Sequence, residues 1–219
     1  MATPQRSSST RLFLKQAREE FFHVGAIAPS SRFLARAVTR GIPGGPVSLL
    51  EAGAGTGALT LEIVRRLPPG SRLTIYEING DFARHLRERF AREGGGNGRV
   101  GQGITVHVHH GDVQDLPPGP RYDGIVSGLP LNNFPPALVR RILESLFAAL
   151  RPGGVLTYFE YLLIREIKSL TTGRRERRRL RRVGKVTAGF LDRYEFRREA
   201  VFLNIPPAVV HHLRKPGGG

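Results

Sequence analysis

With 219 residues, 40% of them hydrophobic, the chain is long enough for one domain with a full core. No apolar run approaches the ~18 residues of a membrane-spanning helix, and the absence of cysteine excludes a disulfide framework and a thiolate metal site. The net charge of +16 calls for a polyanionic partner, either nucleic acid or the anionic face of a membrane.

Ser7 to Thr10 precede the first expected element, an amphipathic helix over residues 11–24. Phe13, Leu14, Ala17, Phe21 and Val24 share one of its faces, and Lys15, Gln16, Glu19 and Glu20 lie opposite. The polar stretch before it lacks the apolar centre of a signal peptide, so an intracellular protein is expected. A loop and a second helix, Ser31 to Thr39, complete a helical extension over residues 1–45.

Strands and helices then alternate over residues 46–210. Strands are expected at Val47–Glu51, Arg72–Glu77, Ile104–His109, Tyr122–Ser127 and Val155–Tyr161, with helices at Ala58–Leu67, Asp81–Arg92 and Pro136–Leu150 between them. The turn Arg151-Pro-Gly-Gly154 is expected before the fifth strand. A mixed helix, Leu162 to Arg182, is expected to break at Gly173, followed by strands near Ala188–Tyr194 and Glu199–Asn204 paired as an antiparallel hairpin. Residues 211–219 read as a flexible tail. This pattern predicts a Rossmann-like α/β fold: a seven-stranded, mostly parallel sheet with helices on both faces and the last strand antiparallel.

The chemistry concentrates at strand ends. The first strand runs into Glu51-Ala-Gly-Ala-Gly-Thr-Gly57, and Gly53, Gly55 and Gly57 let a turn pass close to a ligand. Their G-x-G-x-G spacing differs from the G-x-G-x-x-G of pyrophosphate binders, and no Gly-Lys-Ser/Thr follows as a P-loop requires. An acid ahead of the glycines, Glu51, is a poor neighbour for phosphate and suits a cofactor carrying a cation or amine. Glu77, next to Ile78 at the end of the second strand, is placed to accept both hydroxyls of a ribose. Asp112, followed by Val113 after the third strand, can accept from an adenine amine. The pairs His107/His109 and His211/His212 lack the further ligands of a metal set, so no metal is expected. No serine lies in a nucleophile elbow.

The acid–glycine turn, the ribose acid and the third-strand Gly-Asp resemble the class I S-adenosylmethionine-dependent methyltransferases over residues 45–165. The resemblance implies S-adenosylmethionine as cofactor. After the fourth strand, Ser127-Gly-Leu-Pro-Leu-Asn-Asn133 stands where amino-group methyltransferases carry Asn/Asp-Pro-Pro-Tyr. Here Ser127 and Gly128 replace the acid or amide and the first proline, and no aromatic follows Leu129 directly. This Ser-Gly-Leu-Pro form is similar to the bacterial phosphatidylethanolamine N-methyltransferase family. Val24–Ala35, Tyr76-Glu-Ile-Asn79, Pro135-Pro136, Arg151-Pro-Gly-Gly154 and Asn204-Ile-Pro-Pro-Ala208 extend the likeness. It implies methylation of a lipid amine, with backbone carbonyls of Ser127, Gly128 and Leu129 receiving the amine. Tyr158 and Glu160 share a strand face by the cleft and are candidates to orient it.

Two basic elements would meet the partner. The helix at 11–24 can lie in a headgroup layer. The window Arg165–Arg182 holds nine Lys or Arg and two Glu, or 9 − 2 = +7, densest over 174–182. Near an anionic membrane each such residue adds up to about 1 kcal/mol of attraction, and the same run can grip RNA phosphates. The expected location is cytoplasmic, at the inner face of the membrane. Phosphatidylethanolamine is the first expected acceptor. Ornithine lipid, RNA adenine and a non-catalytic binding module are the alternatives.

Overall fold

The computed structural model describes residues 32–93, 99–100, 103–162, 173–204 and 206–218. The expected helix at 11–24 and most of the segment 24–35 lie outside the described residues. In chain order the elements are α1 (Arg32–Thr39), β1 (Ser48–Ala52), α2 (Ala58–Arg66), β2 (Arg72–Glu77), α3 (Gly80–Glu93), β3 (Arg99–Val100), β4 (Ile104–His110), β5 (Tyr122–Ser127), α4 (Pro136–Ala149), β6 (Leu150–Tyr161), α5 (Arg174–Tyr194), β7 (Glu195–Val201) and β8 (Ala208–Arg214). No helix among the described residues is long and apolar enough to cross a membrane.

The strands form one sheet in the order β3-β4-β2-β1-β5-β6-β8-β7. The run β4-β2-β1-β5-β6 is parallel, and β8 pairs antiparallel with both β6 and β7. β3 is a two-residue antiparallel edge, and the sheet has eight strands where seven were expected. Leu49, Leu50 and Ala52 are all buried, as in a strand covered on both faces. One face packs Leu50, Ile125, Leu156 and Leu213 against α4 and α5; the other packs Leu49, Leu73, Ile75 and Val210 against α1, α2 and α3. The chain reaches the β4 edge and then returns to lay β5 beside β1. That reversal opens a crevice at the carboxyl ends of β1 and β5.

Two parts of the C-terminal third depart from expectation. Ala188–Tyr194 is the end of α5, not a strand. Leu180, Val183 and Thr187 are buried on that helix, and Leu191 and Tyr194 continue the same 3.6-residue stripe against the core. The hairpin is therefore β7 with β8, and residues 211–214, expected in a tail, are inside β8. Val210, His211, His212 and Leu213 are buried in succession, so both faces are covered and no alternation marks the strand. Just beyond it, Lys215 Nζ donates to the carbonyls of Phe147 and Leu150 at 2.9 and 2.7 Å, capping α4. The Arg151-Pro-Gly-Gly154 turn is absorbed into β6 as a bulge, where the register shifts between Tyr122 and Gly124.

His212 is fully buried between β6 and β7. Thr157 Oγ1 lies 3.0 Å from its Nδ1, and Glu199 Oε1 lies 3.2 Å from Nε2. Arg40 and Arg197 pair with the same carboxylate at 3.0 and 2.9 Å. Burial pushes the imidazole below its ordinary value; Glu199 pulls upward, and the two arginines offset that pull. The stability this neutral ring contributes is complete above the unfolded histidine value of about 6.5 and is lost as pH falls below it. The melting temperature of His212→Gln should therefore depend less on pH than that of the wild type between about pH 7 and 5.5. Equal slopes in the two proteins would assign the acid sensitivity to other groups.

Candidate active site

The turn after β1 has Gly53, Gly55 and Gly57 at φ 81°, 59° and 83°, a region that side chains strongly disfavour. Gly53 N–H donates to Tyr76 O at 2.8 Å, tying the turn to β2. Gly57 caps α2, and a Cβ there would stand 2.6 Å from the Leu86 side chain. Glu77 is fully buried, and its carboxylate gathers two loop N–H groups. Oε2 accepts from Gly55 and Oε1 from Asn79, each at 2.8 Å. Glu51 is also fully buried, on the sheet face it shares with Leu49 and Glu77.

Beside this turn is a small apolar slot lined by Tyr76, Ile78, Gly111, Asp112, Val113, Leu129 and Phe134. Tyr76 is stacked on His109, ring centroids 5.0 Å apart. His110 Nε2 is 3.2 Å from Ile78 O, so these histidines brace the slot's wall. Asp112 caps the short 3-10 turn Val113–Asp115. Its Oδ1 accepts from Gln114 N–H and its Oδ2 from Gln114 Nε2, each at 2.9 Å. An apolar slot lined by one carboxylate, Asp112, suits a heteroaromatic ring bearing an amine.

These residues fit S-adenosylmethionine. Glu77 would take the ribose hydroxyls, Ile78, Asp112 and Val113 the adenine, and Gly53–Gly57 the amino-acid end, with Glu51 beneath.

The third part of the site is the chain leaving β5. Ala52, Ser127, Tyr158 and His211 form one row across β1, β5, β6 and β8. Gly128 N–H donates to Ala52 O at 2.9 Å. A Cβ at Gly128 would stand 2.7 Å from Gly53 O, so the acceptor loop and the cofactor turn are in backbone contact. Ser127 is buried, and its Oγ is 3.4 Å from Leu129 N. A short 3-10 turn over Leu131–Asn133 follows, and Arg179 of α5 fastens it. Arg179 donates to Phe134 O at 2.7 Å and to Asn132 O at 2.8 Å, and also pairs with Glu176. The arginine run is therefore not charged uniformly toward solvent. Arg179 is a structural rivet and Leu180 is buried, whereas Arg174, Arg175 and Arg178 are exposed.

Tyr158 and Glu160 divide. Tyr158 is 1% exposed, and its hydroxyl has no hydrogen-bond partner among the described residues. Burial, reinforced by Glu160 and Glu195, pushes the phenol far above its ordinary value, so it stays neutral. Glu160 is partly exposed and lines a cleft with Tyr161 and Gly128–Asn133. His211 was missed from sequence, being hidden in an unrecognised strand. Its ring stacks on Tyr158 at 4.9 Å, and its Nδ1 is 2.6 Å from Glu195 Oε1. Burial alone would raise the Glu195 carboxyl, but hydrogen bonds from Arg198 and His211 hold it below the usual range. An imidazole tied by Nδ1 to an ionised carboxylate has its other nitrogen available to take a proton.

Comparison with known proteins identifies the family and the fold. A family described as a methyltransferase domain matches residues 49–154. An ornithine lipid N-methyltransferase of Singulisphaera acidiphila is 36% identical over 150 residues, covering 65% of this chain and 73% of that protein. A carboxy-S-adenosyl-L-methionine synthase of Chromohalobacter salexigens is 30% identical over 115 residues, covering 52% of this chain and 40% of that protein. Among solved structures, the N-methyltransferase NodS from Bradyrhizobium japonicum, in complex with S-adenosyl-l-homocysteine, shares the fold at a TM-score of 0.60 and 17% identity. The match covers 93% of this chain and 98% of that one.

Proposed function

The chain belongs to the class I S-adenosylmethionine-dependent methyltransferases, and from that premise we propose that it methylates the primary amine of an aminolipid headgroup. The observation that carries this reading is the contact of the Ser127–Leu129 loop with the cofactor turn at Gly53, beside the open carboxylate of Glu160. Similarity to an ornithine lipid N-methyltransferase favours ornithine lipid over phosphatidylethanolamine. The enzyme would work at the inner face of a membrane, with Arg174, Arg175 and Arg178 turned to anionic headgroups.

When bound, S-adenosylmethionine supplies the electrophilic methyl group. The chain's own residues prepare the acceptor. An ammonium has no lone pair to offer, so it must first lose a proton. Glu160 attracts the ammonium, and His211, oriented by Glu195, takes the proton at Nε2. Carbonyls of the Ser127–Leu129 loop then accept the remaining N–H bonds and aim the lone pair. Tyr158 stays neutral and packs beneath this site.

The test is incubation with methyl-labelled S-adenosylmethionine and three acceptors: ornithine lipid vesicles, phosphatidylethanolamine vesicles and total RNA. Label is expected in the lipid, with ornithine lipid labelled faster. Label in RNA alone would sink the proposal.

A further inference from the structure

A groove of about 760 Å³ runs between α5 and the β6–β8–β7 edge of the sheet. Its apolar lining includes Tyr161, Leu162, Leu180, Ala188, Leu191 and Val209. Its polar groups are Glu160 and His211 on the sheet and Arg177, Arg181 and Arg198 around them. Glu160 and Tyr161 also line the cleft beside Gly128 and Leu129, so the groove adjoins that loop. Arg179 fixes α5 to that loop through Asn132 and Phe134, which sets the groove's position relative to the reaction site.

The lining has an order. Glu160 stands opposite Val209, diagonal to His211 on the same face of the β6–β8 pair. This acid–imidazole pair recognises an ammonium. Arg198 is already held by both oxygens of Glu195, at 3.2 and 2.7 Å. Arg177 and Arg181 are four residues apart on α5, one turn above each other. Both line the groove and bring positive charge that suits a carboxylate or phosphodiester. Apolar side chains continue between them. The volume is within the range of small-ligand sites, roughly 300–1,000 Å³.

We infer that this groove is the acceptor site and binds one zwitterionic amphiphile. Its amine lies at Glu160 and His211, its anionic group on Arg177 and Arg181, and its first chain carbons along Leu180 and Leu191. The assignment rests on the aminolipid reading and adds to it the place and polarity of binding. Phosphatidylethanolamine would present a phosphodiester to the two arginines, and ornithine lipid a carboxylate.

The experiment uses the full chain and short-chain versions of both lipids in neutral detergent micelles, with equilibrium binding and KM as readouts. Arg177→Glu/Arg181→Glu should weaken binding and raise KM by about 10-fold or more, as loss of charge-assisted hydrogen bonds implies. The lipid that shows the loss identifies the anionic group. Lys185→Glu/Arg193→Glu makes the same charge change elsewhere on α5, off the groove, and should stay within about twofold. Ala188→Trp, which fills the groove without changing charge, should also weaken lipid binding. Affinity for S-adenosylhomocysteine should hold in all three. Equal losses in the two charge-reversed proteins would overturn the groove in favour of general surface attraction, and no loss in Ala188→Trp would overturn it independently. If wild-type protein neither binds nor methylates either lipid, the aminolipid reading itself falls.

Discussion

Replacing Glu77 with alanine is expected to weaken S-adenosylmethionine binding by about 100- to 10,000-fold. A carboxylate accepting two ribose hydroxyls makes two charge-assisted hydrogen bonds, each worth about 1.5–3 kcal/mol, and about 1.4 kcal/mol is a factor of ten. The same carboxylate holds the N–H groups of Gly55 and Asn79, so its loss also loosens the turn. Glu77→Gln separates the two contributions. The amide keeps one acceptor oxygen and the side-chain volume but removes the charge. It should retain the fold while losing about 10-fold or more in affinity. Calorimetric titration with S-adenosylhomocysteine, alongside melting temperatures, reads both effects. Affinities within threefold of wild type for both variants would show that the ribose lies elsewhere.

That Glu77 could be placed at the buried end of β2 from the sequence has a simple cause. Cofactor-binding residues in this fold stand where an apolar run stops, and Leu49–Gly57 and Ile75–Asn79 carry that signal in consecutive residues. The five central strands were legible for the same reason, since each is a short buried run bounded by turns or acids. The C-terminal third was not. α5 begins in a run of arginines whose apolar stripe is sparse until Val183, and its last turns contain Phe190 and Tyr194, which read equally well as strand. β8 is buried on both faces and carries two histidines in the middle, so it has neither alternation nor an unbroken apolar run.

The acceptor side of the site suffered most from that gap. His211 and Glu195 meet only because β7 and β8 pair, and Arg198 joins them from three residues along β7. Their separation in sequence gives no local pattern to detect. Arg179 shows the converse. In sequence it is one of many arginines, yet its side chain is only 22% exposed and its guanidinium is spent on Glu176 and on two backbone carbonyls of the chain after β5. Charge density located the helix, but burial decided which of its arginines hold structure and which are exposed.

Gly128→Ala should be the most damaging small substitution at the acceptor loop. The added methyl would stand 2.7 Å from Gly53 O, a backbone atom that cannot swing aside. Both neighbours are pinned: Gly128 N–H to Ala52 O at 2.9 Å, and Gly53 N–H to Tyr76 O at 2.8 Å. Relief requires the two loops to part by several tenths of an ångström, at a stability cost of about 1–3 kcal/mol. On the proposed mechanism the larger effect falls on catalysis, because those loops would align the acceptor nitrogen with the cofactor. A misplacement of about 1 Å can cost on the order of 100-fold in rate. The expected result is a folded protein with kcat reduced about 100-fold and aminolipid binding largely retained, because the groove under α5 is untouched. Gly189→Ala is the matched control. It lies mid-helix in α5 with nothing within 4 Å of an added Cβ, so it should preserve kcat and stabilise the fold by up to about 1 kcal/mol. A Gly128→Ala enzyme with unchanged kcat would mean that the Ser127–Leu129 loop does not aim the acceptor, and the catalytic centre would have to be sought away from the contact between the two loops.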